Sequence, residues 1–284
     1  MDIRSGSLRV PGAKLYYEVR GSGPLVLVIP GGGGDAATVD PIAELLADRF
    51  TVACLDPRGY SRSELDGPQR THRVEVQSDD AFRLLSHLGD EPALVVGGSS
   101  GGIVGLDLLA RHPERVAGLV AHEPPCFAVL ADAEQQRAMI EEVYALLQTE
   151  GPAAAGARFL AGIGGAMKPS PMPEELSPRA AAMWARLAVN GPLMMEYELR
   201  EFTSHIPDFA ALTALADRLT LAVGRETGDR LPARPAVEIA RRIGIEVTEF
   251  PGAHNGMRTE AAEFAAQLAD VLTAHLSAET ARSC

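Results

Sequence analysis

One stretch constrains this chain more than any other: Ala93-Leu94-Val95-Val96-Gly97-Gly98-Ser99-Ser100-Gly101-Gly102-Ile103-Val104. Residues 93–96 form an unbroken apolar, partly β-branched run, which reads as a strand buried on both faces. Residues 103–112 are apolar on nearly every side, which reads as a buried helix. Only glycines and serines join the two. Within the joint, Gly98-x-Ser100-x-Gly102 has the spacing that stands a serine on a sharp, strained strand-to-helix turn, and its glycines let the backbone close around it. The Ser100 hydroxyl is then expected at a helix N-terminus, whose unpaired N–H groups favour negative charge.

The rest of the chain repeats the strand–helix alternation. A hairpin is expected over 7–10 and 14–20, turning at Pro11-Gly12. Residues 25–29 read as an apolar strand ended by Pro30-Gly31-Gly32-Gly33-Gly34, then 39–48 as a helix and 51–55 as a strand. Asp56-Pro57-Arg58-Gly59-Tyr60-Ser61-Arg62-Ser63 reads as an ordered turn, and Ala81, Leu84, Leu85 and Leu88 mark a helix closing at Gly89. After a strand at 116–121 the alternation breaks into helices with proline joints at Pro169, Pro171, Pro173 and Pro178. It resumes with strands at 219–223 and 245–250 and helices at 236–243 and 260–276. These patterns predict an α/β fold, a mostly parallel sheet flanked by helices. Residues 1–125 and 208–284 make the core, and 126–207 a helical cap over the strand ends, where such sheets bind ligands.

Composition narrows the partners. The 38 acidic against 26 basic residues leave a formal net charge of −12, which excludes nucleic acid and anionic membrane surfaces. No segment approaches the ~20 apolar residues of a membrane span. The N-terminus lacks a leader-like apolar run, so a cytoplasmic location is expected. Cys54, Cys126 and Cys284, odd in number and far apart, suggest neither a disulfide framework nor a zinc site, and Cys126 is expected to be buried and inert. With no phosphate-loop or metal-ligand spacing, the expected partner is a small-molecule substrate, with no cofactor or metal. One rival pattern stands out. Gly31-x-Gly33-x-x-Ala36 lies between a strand and a helix, and Asp56 ends the next strand, as in a nicotinamide-dinucleotide fingerprint. Against that reading, a hairpin precedes the strand and Asp56 runs directly into Arg58-Gly59.

Four features together resemble the α/β-hydrolases of the esterase and lactonase type with a helical cap. They are the glycine loop at 30–34, Asp56-x-Arg58-Gly59-x-Ser61-Arg62-Ser63, the turn at Ser100, and Pro251-Gly252-Ala253-His254 after the last strand. The resemblance implies Ser100 as nucleophile and His254 as general base, with backbone donors to an oxyanion from Gly101 and from Gly32 or Gly33. Where relatives commonly place an aspartate, three residues past Gly224, this chain has Thr227. Glu123, Glu226 and Asp229 are the candidates for the acid. Glu123 is favoured, because Pro124-Pro125 fixes the backbone that carries it. The implied activity is hydrolysis of an ester, thioester or lactone of a small, largely apolar substrate through an acyl-enzyme. The departure at Thr227 leaves room for a cofactor-free cyclase or lyase, or for a ligand-binding protein on the same fold. Phe127, Leu130, Phe159, Met167, Trp184, Leu187, Met194 and Met195 are candidates to line its pocket.

Overall fold

A computed structural model describes residues 2–167 and 176–283. Pro169, Pro171, Pro173 and Cys284 lie outside the described residues. The chain opens with β1 (Arg4–Val10) and β2 (Ala13–Gly21), then β3 (Leu25–Ile29), α1 (Asp40–Leu46), β4 (Thr51–Leu55), β5 (Glu64–Leu65) and α2 (Val74–Leu88). Next come β6 (Ala93–Gly98), α3 (Ser100–Arg111) and β7 (Val116–His122). A run of helices follows: α4 (Ala133–Thr149), α5 (Pro152–Gly162), α6 (Pro178–Tyr197), α7 (Leu199–Thr203) and α8 (Phe209–Ala214). The chain ends with β8 (Leu219–Gly224), α9 (Arg234–Ile243), β9 (Thr248–Phe250), α10 (Gly256–Thr259) and α11 (Ala261–Ser283).

The strands form one sheet in the order β1-β2-β4-β3-β6-β7-β8-β9, with β5 paired to β2. β1 and β2 are antiparallel, and from β4 to β9 neighbouring strands run parallel. From β3 the chain first builds β4 on one side and then β6 on the other, so the strand order reverses between β3 and β6. Such a switch point opens a crevice at the carboxyl ends of the strands. The glycine loop, the serine turn, Glu123 and His254 all follow strands of this parallel set, and so they gather on one edge. Successive side chains point to opposite faces. Leu27, Val95 and Leu119 pack on one face with α2, α3 and α9, and Val28, Val96 and Val120 on the other with α1 and α11.

Helix α2 and strand β9 show why some elements differ from the sequence expectation. Helix α2 begins at Val74 because Gln77, Ser78 and Asp80 are buried with it, and polar residues on an inward face hide the apolar period. Arg58 holds the Asp80 carboxylate with two hydrogen bonds of 2.6 Å. Strand β9 is shorter than expected: Ile245 and Val247 pack against the core, but pairing with β8 begins only at Thr248.

Helix α6 is tied to the sheet by charge. Arg179 reaches Asp40 at 2.5 Å and also Glu18, Arg186 reaches the buried Asp35 at 2.5 Å, and Asn190 donates to the Gly33 carbonyl at 2.9 Å. These contacts hold the helical run over the glycine loop. Among the described residues no helix is long and apolar enough to cross a membrane.

Candidate active site

The turn between β6 and α3 is strained, and the strain sits on Ser99. Its backbone has φ 52° and ψ −125°, in the left-handed region that L-residues rarely adopt, whereas Ser100 is the first residue of α3. Gly-Gly-Ser-Ser-Gly-Gly satisfies the glycine–serine–glycine spacing in two registers, and sterics choose between them. A Cβ on Gly97 would collide with the Gly101 carbonyl, and one on Gly101 with the Ile29 carbonyl of β3. At Gly98 it would meet only the flexible end of Met257, at 3.4 Å. The glycines that the turn requires therefore flank Ser99. The expectation that Ser100 occupies the exposed turn is corrected to Ser99.

Glu123 follows β7 and is 0% exposed. It too has a positive φ, 46°, and its N–H donates to the Ala222 carbonyl at 2.9 Å. Both carboxylate oxygens are engaged. Oε1 accepts from the Gly224 N–H at 2.8 Å, and Oε2 lies 2.6 Å from His254 Nδ1. Burial works against ionisation, but the contact with His254, the neighbouring histidines and the Gly224 amide outweigh it, and the carboxyl stays below its ordinary pKa. An ionised Glu123 makes Nδ1 the donor and leaves Nε2 as the ring's free acceptor. His122, also buried, is pushed by desolvation down to about 4 and is neutral at pH 7. Glu226 and Asp229 are exposed, and Thr227 is buried with its hydroxyl unpartnered among the described residues.

The register shift also moves the expected backbone donor. The residue after the turn is Ser100, not Gly101, and its N–H is the first of α3 and has no intrahelical partner. Gly32 faces it across the cleft: a Cβ there would lie 3.0 Å from Ser100 Oγ, 3.1 Å from Met194 Cγ and 2.9 Å from Glu198 Oε1. Gly33, at φ 68°, instead offers its carbonyl to Asn190. Sequence reasoning missed Glu198. This buried carboxylate, 2% exposed, accepts from Tyr60 Oη at 2.7 Å through Oε2, and its Oε1 has no hydrogen-bond partner among the described residues. No motif marks it; a single polar residue after a long amphipathic helix carries no chemical signal.

Ser99, Ser100, Gly32 and His254 line one cavity of about 320 Å³. Phe127, Phe159, Met167, Leu187 and Met194 contribute apolar wall as expected. Leu130, Trp184 and Met195 are not part of it. Cys126 is fully buried, and burial pushes its thiol pKa well up. Asp56, the acid of the dinucleotide reading, is consumed internally: it accepts from the Ala36 N–H at 2.8 Å and from Arg62 at 2.7 and 2.8 Å. That leaves no carboxylate oxygen for a ribose. Among the described residues no group of three or more His, Cys, Asp or Glu side chains is placed to hold a metal ion.

Known proteins share this architecture. Residues 24–156 match the family described as the alpha/beta hydrolase fold. An uncharacterised hydrolase of Bacillus subtilis (strain 168), YraK, is 36% identical over 278 residues, which is 96% of this chain and 97% of that protein. The zearalenone hydrolase of Cladophialophora bantiana is 36% identical over 126 residues, covering 43% of this chain and 48% of the relative. A solved thermophilic esterase from Thermogutta terrifontis superposes with a TM-score of 0.73 at 19% identity, covering 95% of this chain and 99% of the other. The chain belongs to the α/β-hydrolase fold family, and it is a hydrolase of that fold.

Proposed function

We propose that the protein is a serine hydrolase that cleaves an ester, thioester or lactone of a small, largely apolar substrate through an acyl-enzyme. Ser99 is its nucleophile, His254 its base and Glu123 its acid. The observation that carries this reading is the 2.6 Å Glu123–His254 contact opening on the same cavity as the strained Ser99. Ser99 Oγ attacks the carbonyl carbon as its proton passes to His254 Nε2. The N–H groups of Gly32 and Ser100 hold the developing oxyanion. Collapse expels the alcohol or thiol, protonated by His254, and water then releases the acid by the same route. Glu123 fixes the imidazole tautomer and stabilises its cation. Residues 126–207 act as the cap that covers the cleft, anchored by Arg179, Arg186 and Asn190 of α6. The apolar wall supports the substrate class.

Intact mass after treatment with a neutral fluorophosphonate tests the assignment. The wild type and Ser100→Ala gain one adduct, Ser99→Ala gains none, and Glu123→Gln labels slowly. Adduct retained in Ser99→Ala but lost in Ser100→Ala returns the nucleophile to Ser100. A wild type that takes no label is a binding protein, or a cyclase or lyase, instead.

A further inference from the structure

Of the described residues lining the cavity, one carries a permanent charge: Arg258, on α10 four residues beyond His254. Its guanidinium carbon stands 5.3 Å from the centre of the Trp184 ring. The side chain is half-buried, and desolvation draws its pKa below the ordinary arginine value, yet guanidinium remains a cation. Other arginines drawn into the fold have partners: Arg115 and Arg218 donate to backbone carbonyls, and four more have carboxylates close by. Arg20 has Asp40 at 2.7 Å, Arg58 has Asp80 at 2.6 Å, Arg62 has Asp56 at 2.7 Å and Arg186 has Asp35 at 2.5 Å. Among the described residues Arg258 has neither an ion pair nor a hydrogen-bond acceptor for its guanidinium. In a chain with 38 acidic and 26 basic residues, acid partners are plentiful. Among the described residues no aspartate or glutamate lines this cavity.

A partly desolvated cation without an anion is costly unless a ligand supplies one. The Trp184 ring face lies under the guanidinium carbon and takes none of its N–H groups as a conventional acceptor, and a guanidinium fork matches a carboxylate bidentately. We propose that Arg258 is a carboxylate-binding subsite, and that the substrate is a largely apolar ester, thioester or lactone bearing one carboxylate. This inference rests on the serine-hydrolase reading and narrows its substrate class.

Two matched pairs of substrates test it. Phenyl hydrogen adipate against methyl phenyl adipate places the carboxylate on the acyl side. 3-Carboxyphenyl acetate against methyl 3-acetoxybenzoate places it on the leaving group. In at least one pair the wild type prefers the anion by about tenfold or more in kcat/KM, with the difference carried by KM. That ratio falls to about one in Arg258→Met and is partly kept in Arg258→Lys, which retains the charge without the fork. A wild type with no preference in either pair, or a ratio unchanged in Arg258→Met, overturns the subsite. Fluorophosphonate labelling of the same preparations separates the two readings. A wild type that labels but shows no anion preference overturns the subsite alone, and one that does not label overturns both. Labelling of Arg258→Met shows that the variant is folded.

Discussion

Glu123 and Glu198 are both buried, at 0% and 2% exposure, and both approach the same cleft, yet their carboxyl groups end in different surroundings. Glu123 spends each oxygen on a partner, the Gly224 amide and the His254 ring. Glu198 spends one on Tyr60 Oη, with His72 Nδ1 3.5 Å away, and leaves Oε1 beside Gly32 and Ser100 with no acceptor role filled among the described residues. The first arrangement fixes a single imidazole orientation, as a proton relay needs. The second leaves acceptor capacity next to the oxyanion loop without committing it to any residue that shuttles a proton. Burial alone therefore does not identify a catalytic carboxylate. What each oxygen touches is what distinguishes the two.

The largest expected effect separates the two by rate. Glu123→Gln keeps the shape but cannot stabilise the imidazolium, and kcat on a phenyl ester falls by about 10³–10⁴. Glu198→Gln, which keeps an acceptor for Tyr60, lowers kcat by about tenfold or less. Equal losses in steady-state assays would break the comparison and bring Glu198 into the chemistry.

How much of this could be read from residues alone follows the same division. The apolar runs at 25–29 and 51–55 become β3 and β4 over those same residues, because buried parallel strands need no partner information to be recognised. Glu123 is visible because two prolines follow it, and His254 because a glycine-bounded loop carries it. The serine turn was legible in kind but not in register. Both registers satisfy the spacing, and the choice between them is made by the Ile29 carbonyl on a neighbouring strand, which presses on Gly101. Tyr60, His72 and Glu198 come from three separated segments with no fixed spacing, so only tertiary packing brings them together.

A middling effect sharpens the Glu123 side. His122 is fully buried beside it, with its pKa pushed by desolvation from 6.5 to about 4. A depressed pKa means the folded state resists protonation. The corresponding stability is present above the unfolded value and is lost as pH falls through the folded one. Urea titrations of the wild type between pH 6.5 and 4 should therefore show a loss on the order of 3 kcal/mol from this group. His122→Gln flattens that slope while leaving the Glu123–His254 contact in place. An unchanged slope would mean that His122 takes up a proton in the folded protein as readily as in the unfolded one, and that Glu123 then has a cation at its neighbouring residue.

The smallest effect tests the Glu198 side. Tyr60 is 1% exposed, and burial together with the adjacent Glu198 holds its hydroxyl pKa well above the ordinary value, so it stays a donor across the working pH range. Tyr60→Phe preserves the ring and its edge-on contact with His72, 4.9 Å between centres, and removes only the hydrogen bond to Oε2. Among the described residues both oxygens of the buried Glu198 then lack a hydrogen-bond donor. Such a loss costs about 1–3 kcal/mol, read as a shift in the urea midpoint at constant slope. A variant as stable as the wild type would mean that Glu198 finds another donor within reach, with His72 Nδ1 the nearest. In that case the unfilled Oε1 would reflect a side chain free to reorient, and the contrast with Glu123 would be one of mobility instead of satisfied valence.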